Sequence, residues 1–218
     1  MDTVWDGITK PETLPPEATA VRQQLADAAK AYDWTRTLEL LEDTRLVNAT
    51  RPGGHSLYAP LHQAAHGGAP VEVVERLLAL GAWRTLQNAN GERPVDVAER
   101  RRHRHLLPIL QPQVRRQVPH GILQKVQQHF HGVIRGRAAR LVEEHALRLP
   151  ELEPLLELDE PKTWFAVPGM YGGFGYRLER AGVEPLLVAE SWCRVVEGSG
   201  QRHEVTSSGS KLVEEGFV

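Results

Sequence analysis

The spacing of apolar positions changes twice along the chain. From Leu25 to about residue 112, leucine, valine and alanine recur at helical spacing in short blocks. Three of these blocks align. They run L-A-D-A-A-K-A-Y-D-W-T-R-T-L-E-L-L from Leu25, A-P-L-H-Q-A-A-H-G-G-A-P-V-E-V-V-E-R-L-L-A-L-G-A from Ala59, and R-P-V-D-V-A-E-R-R-R-H-R-H-L-L-P-I-L from Arg93. Ala28, Ala64 and Ala98 fall 36 and then 34 residues apart, where two helices must approach closely. Such units cannot bury their apolar faces alone, so they stack and share a continuous core. Residues 113–148 then read as helical. Ile122, Val126, Phe130, Val133, Ile134, Ala138, Leu141 and Val142 recur every three or four residues. Gly132 and Gly136 mark a kink, a break or a close crossing, and Pro150 ends the helix. Residues 151–158 add a short acidic turn.

After residue 161 the period shortens to that of strands. The stretches W-F-A-V-P-G-M-Y-G-G-F-G-Y-R-L-E-R, P-L-L-V-A-E-S-W-C-R-V-V and Q-R-H-E-V-T are separated by Ala181-Gly182 and Gly198-Ser199-Gly200. They predict a three- or four-stranded antiparallel meander. The fold class is therefore mainly α with an α+β C-terminal part. The predicted domains are an acidic, proline-containing arm over 1–17, helical repeats over 18–117, and a helical cap plus sheet over 118–218. The arm is either free or pinned by Trp5 and Ile8.

The middle block resembles an ankyrin repeat. Pro60, Leu61, His62, Ala64, Ala65, Val73, Val74, Leu77, Leu78, Gly81 and Ala82 match that family's pattern. The finger from Asn88 to Pro94 fits as well. Ala59 replaces the usual threonine, Asp96 stands where the middle block has His62, and Gly68-Ala-Pro70 lengthens the turn between helices. Tyr32 and Arg102 occupy turn positions where the family has glycine. The resemblance covers residues 25 to about 112 and implies a short solenoid that binds a protein partner on its concave face. Matching positions are Tyr58, Gln63, His66, Gln87, Asn88, Asn90 and Arg93, with Trp83 directly after the Gly-Ala end. Aromatic and arginine side chains are the types that anchor interfaces. The resemblance makes His62 structural, bonding across neighbouring fingers.

Composition narrows the classes. Of 218 residues, 41% are hydrophobic and 25% charged, with a formal net charge of −2. No global field favours nucleic acid or an anionic membrane. The single cysteine, Cys193, makes no internal disulfide, which fits a reducing compartment. No apolar run has the length of a membrane span, and no signal-peptide pattern opens the chain. A cytoplasmic protein is expected. Charge is uneven: residues 93–140 carry eleven basic against two acidic residues, and residues 141–160 seven acidic against one basic. The basic stretch suits phosphates, an acidic protein, or internal pairing with the acidic turn. No nucleic-acid motif selects the first of these.

The alternative to a binding module is an enzyme, or a protein that binds an anionic small ligand, built on the C-terminal sheet. Alternation puts Glu190, Trp192 and Arg194 on one face of a strand and Ser191 and Cys193 on the other. Arg177 precedes them, and Arg202, His203 and Glu204 follow. Tyr171, Arg177, Glu190, Arg194 and His203 are the candidates for acid–base or anion chemistry, against a reading as cross-strand ion pairs. No nucleophile elbow or triad is present. Gly169, Gly172, Gly173 and Gly175 read as turns or bulges, because no helix follows them to complete a phosphate loop. His103/His105 and His129/His131 sit two apart, poor spacing for metal on a helix, and read as solvent-facing. No cofactor or metal is called for.

Overall fold

A computed structural model describes residues 3–42, 45–193 and 199–216. The chain divides into two compact units, Ile8–Gln113 and Val114–Val218 together with Met1–Gly7. The fold is α+β.

The first unit holds six helices among the described residues: α1 (Pro16–Lys30), α2 (Trp34–Glu42), α3 (Pro60–Gly67), α4 (Val71–Ala79), α5 (Pro94–Arg100) and α6 (Leu107–Leu110). Proline sits in the first turn of α1, α3 and α5, where its missing N–H costs no helical bond. The helices form three pairs, and each pair turns the same way. The turn residues Tyr32, Gly68 and Arg102 take φ of 60°, 66° and 63°. The next N–H closes back on the aligned alanines: Asp33 on Ala28 (3.0 Å), Ala69 on Ala64 (3.0 Å) and His103 on Ala98 (2.9 Å). This is the left-handed helix stop that satisfies orphan carbonyls. It is made with glycine only in the middle pair. Arg102 therefore preserves the turn that its side chain disfavours, and Gly68-Ala-Pro70 leaves the closure intact.

First helices pack on first helices, α1 on α3 and α3 on α5, and second helices likewise, α2 on α4 and α4 on α6. Leu25, Leu41, Leu61, Ala64, Ala65, Val74, Leu77, Val97, Ala98, Leu106 and Leu110 form one continuous core. Between pairs, buried polar groups join the loops. The His62 ring accepts the Ala59 N–H on Nδ1 (3.4 Å) and meets the Glu92 carbonyl through Nε2 (3.2 Å). Asn48 donates to the Gly81 carbonyl and accepts from the Trp83 N–H, both at 2.9 Å. At the start of α5, Asp96 takes over the capping half of the His62 role, accepting the Arg93 N–H at 2.8 Å.

In the second unit the long helix α7 runs His120–Glu144, shorter at both ends than the periodicity predicts. Its backbone leaves helical geometry at Ala138 (φ −142°, ψ 28°), two residues beyond Gly136. The sheet has six strands in sequential order: β1 (Val4–Trp5), β2 (Lys162–Val167), β3 (Gly172–Arg180), β4 (Leu186–Cys193), β5 (Ser199–Thr206) and β6 (Gly209–Glu215). Strands β2 to β6 are an antiparallel meander, one or two strands larger than expected. β1 adds to β2 in parallel, so the sheet is mixed. The N-terminal segment is thus not simply an arm. Trp5 is 2% exposed and donates its indole N–H to the Arg148 carbonyl at 2.9 Å. Helix α1 begins inside the predicted arm, at Pro16. Ser199 and Gly200, expected in a turn, belong to β5.

One face of the sheet is largely apolar and lies under α7. Phe165, Phe174, Tyr176, Leu187 and Val205 are buried there, and the Phe130 ring of α7 lies 4.9 Å from the Tyr176 ring and 6.5 Å from that of Phe174. Gly173 belongs to the opposite face, and a Cβ there would meet the Phe165 carbonyl oxygen at 2.1 Å, so only glycine fits this crossing. No helix among the described residues is long and apolar enough to cross a membrane.

Candidate functional site

In the first unit, the ends of the helix pairs bring aromatic and basic side chains into one row. Tyr58 precedes α3, and its ring lies 5.5 Å from His62 and 6.0 Å, edge-on, from His66. The His66 ring stacks on Tyr32 at 6.3 Å, and Tyr32 lies 5.8 Å from Trp34. The Tyr32 hydroxyl and His66 Nδ1 share a hydrogen bond of 2.7 Å. The left-handed turn presents Tyr32 in this way. Its ring lies where a Cβ on Gly67 would sit, only 2.5 Å from the ring edge. Arg100 reaches back from α5 to the Tyr58 hydroxyl (3.1 Å) and to Glu92 (2.7 Å). Burial, then the charges of Arg101, Arg100 and His103, lower the His66 pKa, so its ring is neutral near pH 7. The Arg100 guanidinium, with the Asn88 amide, holds the Glu92 carboxyl down to about 2.

Beside this row lies a small cleft between α1, the loop 49–58 and α3. It is lined by Arg22, Ala26, Ala49, Thr50, Tyr58 and Gln63. The predicted residues Tyr58, Gln63 and His66 come together at this surface. Gln87, Asn90 and Arg93 lie on the next finger, with Asn90 exposed and the other two half-buried. Trp83 and Asn88 are not displayed. Trp83 is 4% exposed and Asn88 5%. The Asn88 side-chain oxygen caps the Asn90 and Glu92 N–H groups and its amide donates to Glu92, so it builds the finger tip. Tyr32, Trp34 and Arg100 were missed as members of this surface, although the repeat spacing carries the signal for Tyr32.

Of the paired histidines, His105 is exposed as expected, while His103, His129 and His131 are half-buried. His103 and His105 reach the backbone carbonyls of His66 (3.1 Å) and Ala69 (3.2 Å), joining the third pair to the second. His131 bonds the Pro150 carbonyl at 2.8 Å, and burial lowers its pKa. The basic stretch and the acidic turn do meet within the second unit. Arg116 donates to the carbonyls of Leu158 and Asp159, and Arg115 pairs with Asp159 at 3.1 Å.

The sheet candidates do not form one pocket. On the face away from α7, charges alternate across four strands. Arg177 pairs with Glu179 and lies 3.5 Å from Glu190. Glu190 pairs with Arg202 at 2.6 Å, and Arg202 with Glu214 at 2.6 Å. This is a ladder of cross-strand ion pairs. Trp164 and Trp192 lie beside it with their rings tilted at 36° and 5.8 Å apart, over Gly175. Tyr171 sits in the β2–β3 turn, 76% exposed. His203 lies on the opposite face, because Arg202, not His203, is the register partner of Glu190. Arg194 lies outside the described residues. No known family model matches the sequence, and no curated protein matches it either.

Proposed function

We propose that residues 8–113 are an ankyrin-type repeat module that holds a protein partner on the face made by the first helices and finger tips. The observation that carries this reading is the half-exposed row of Tyr58, His66, Tyr32 and Trp34 beside the Tyr58–Gln63 cleft, flanked by Arg22, Arg100 and Arg101. Aromatic and arginine side chains with part of their surface exposed are the groups that dominate interface energetics. Three features support the ankyrin assignment: the common turn closure on Ala28, Ala64 and Ala98, the stacking of first helices on first helices, and the His62 bridge between loops. The basic flank favours a partner segment that carries carboxylates. A cytoplasmic location fits this role.

The test is capture from native cytosol with the full chain and with a Tyr58→Ala, Gln63→Ala double variant. One protein is recovered with the native chain and lost with the variant, while the variant's Tm falls by only a few degrees, as expected for about 1 kcal/mol lost. Equal recovery by both chains would place the partner elsewhere.

A further inference from the structure

Among the described residues, four buried side-chain polar atoms lack a hydrogen-bond partner, and three of them belong to one side of the second unit: Arg137 Nε, Ser191 Oγ and His203 Nδ1. Native interiors leave few such atoms, so a group of them asks for an explanation.

Register places the three together. Ser191 and His203 both occupy the face of the sheet that lies under α7. Ser191 is opposite Gln201, and His203 is two residues further along β5. Arg137 comes down from α7 and donates through its terminal nitrogen to the Ser199 carbonyl at 2.8 Å, two residues before Gln201 on the same strand. The three orphan atoms therefore belong to side chains that meet the same face of the sheet, on or beside the positions flanking Gln201. Arg137 is placed one residue before the point where α7 leaves helical geometry. Ser191 is 1% exposed, whereas Arg137 and His203 are half-buried.

The chemistry is one-signed. Arg137 Nε–H only donates. The Ser191 hydroxyl and the His203 ring nitrogen are each able to donate as well. The Arg137 charge disfavours a cation here. A carboxylate acting on His203, that of Glu215, lies on the exposed edge strand and accepts from the Gln201 amide at 2.6 Å. Burial, and then the Arg137 charge, lower the His203 pKa, which keeps the ring neutral and able to serve as a hydrogen-bond donor. We propose that Arg137, Ser191 and His203 form a binding site for the oxyanion of a small ligand, a phosphoryl or carboxylate group, between α7 and strands β4 and β5. The site faces away from the Arg177–Glu190–Arg202 ladder and uses His203 without Tyr171 or Glu190.

The probes are inorganic phosphate and acetate, added separately to the full chain, with chloride as the ionic-strength control. The readout is NMR of the Arg137 Nε–H and the His203 ring. Saturable shifts of both signals at millimolar probe, absent with chloride, are expected. Saturation by phosphate alone assigns a phosphoryl group, and saturation by acetate alone a carboxylate. Arg137→Lys keeps the charge but removes Nε–H and weakens binding about tenfold; Ser191→Ala weakens it several-fold, about the value of one buried hydrogen bond to a charge. Signals that stay put to tens of millimolar probe would overturn the proposal and leave a buried water as the partner of these atoms. Shifts that persist equally in both variants would overturn it too, as surface ion binding. The wild-type titration decides the question even if a variant fails to fold.

Discussion

The two units meet the same demand in different ways. Each must pair its backbone groups and bury its apolar side chains. In residues 8–113 the solution is local and repeated. One turn closes each helix pair on an alanine, and polar links join one pair to the next, as from His62 to Glu92. In the other unit the meander pairs neighbour with neighbour, but its first strand comes from the far end of the chain. Trp5 is bonded to Arg148 across 143 residues. A repeat can form wherever its neighbour forms, whereas a distant strand must first close a long loop. The repeats hold their partners close in sequence, and the sheet depends on one remote segment.

The largest expected effect tests that dependence. Trp5→Ala removes a buried indole, its N–H bond and its contact with the Arg148 guanidinium, 5.1 Å from the ring centre. The loss should be about 3–5 kcal/mol, as for other buried aromatic truncations. Hydrogen exchange resolved by peptide should speed up most over residues 162–180, which pair with or flank β1. Unchanged protection there would show that the meander stands without its sixth strand.

The corresponding break in the repeats is His62→Ala. The ring is fully buried and bonds both its own helix start and the next finger. Its removal leaves the Glu92 carbonyl and the Ala59 N–H without these partners, at a cost of about 2–3 kcal/mol. Urea unfolding should show the loss, and exchange should rise over residues 59–67 and 88–98. If exchange rose only over residues 59–67, the ring would be a local cap, and the polar link between neighbouring pairs would carry no weight.

The contrast also explains which parts were legible in the sequence. The helix pairs announce themselves because the aligned alanines recur after 36 and then 34 residues, and the same backbone bond then recurs in space. The first strand gives no such signal. Two residues, Val4 and Trp5, carry no alternation, and nothing local says that they will lie beside Trp164 and Phe165. Register was the other gap. Arg177 and Glu190 lie 3.5 Å apart. His203 was grouped with them, but its neighbour Arg202 is the residue opposite Glu190. A shift of one residue exchanges the two faces of a strand, and no pattern within β5 fixes that shift. The same gap hid the cluster of Arg137, Ser191 and His203, which needs both the register and the placement of α7.

The smallest effect concerns the turn that all three pairs share. Arg102 adopts φ of 63° with a side chain that is exposed. Gly68 adopts 66° in the equivalent turn with no such penalty. A left-handed conformation costs an ordinary residue about 1–2 kcal/mol. Glycine removes that cost but returns about 0.5–1 kcal/mol through the greater freedom of its unfolded chain. Arg102→Gly should therefore stabilise the protein by about 0.5 kcal/mol, the difference of these two terms. The expected sign is a small rise in the urea midpoint at unchanged slope. A fall in the midpoint would mean that the Arg102 side chain makes a stabilising contact, and that the third pair holds its turn by side-chain packing rather than by the backbone closure it shares with the other two.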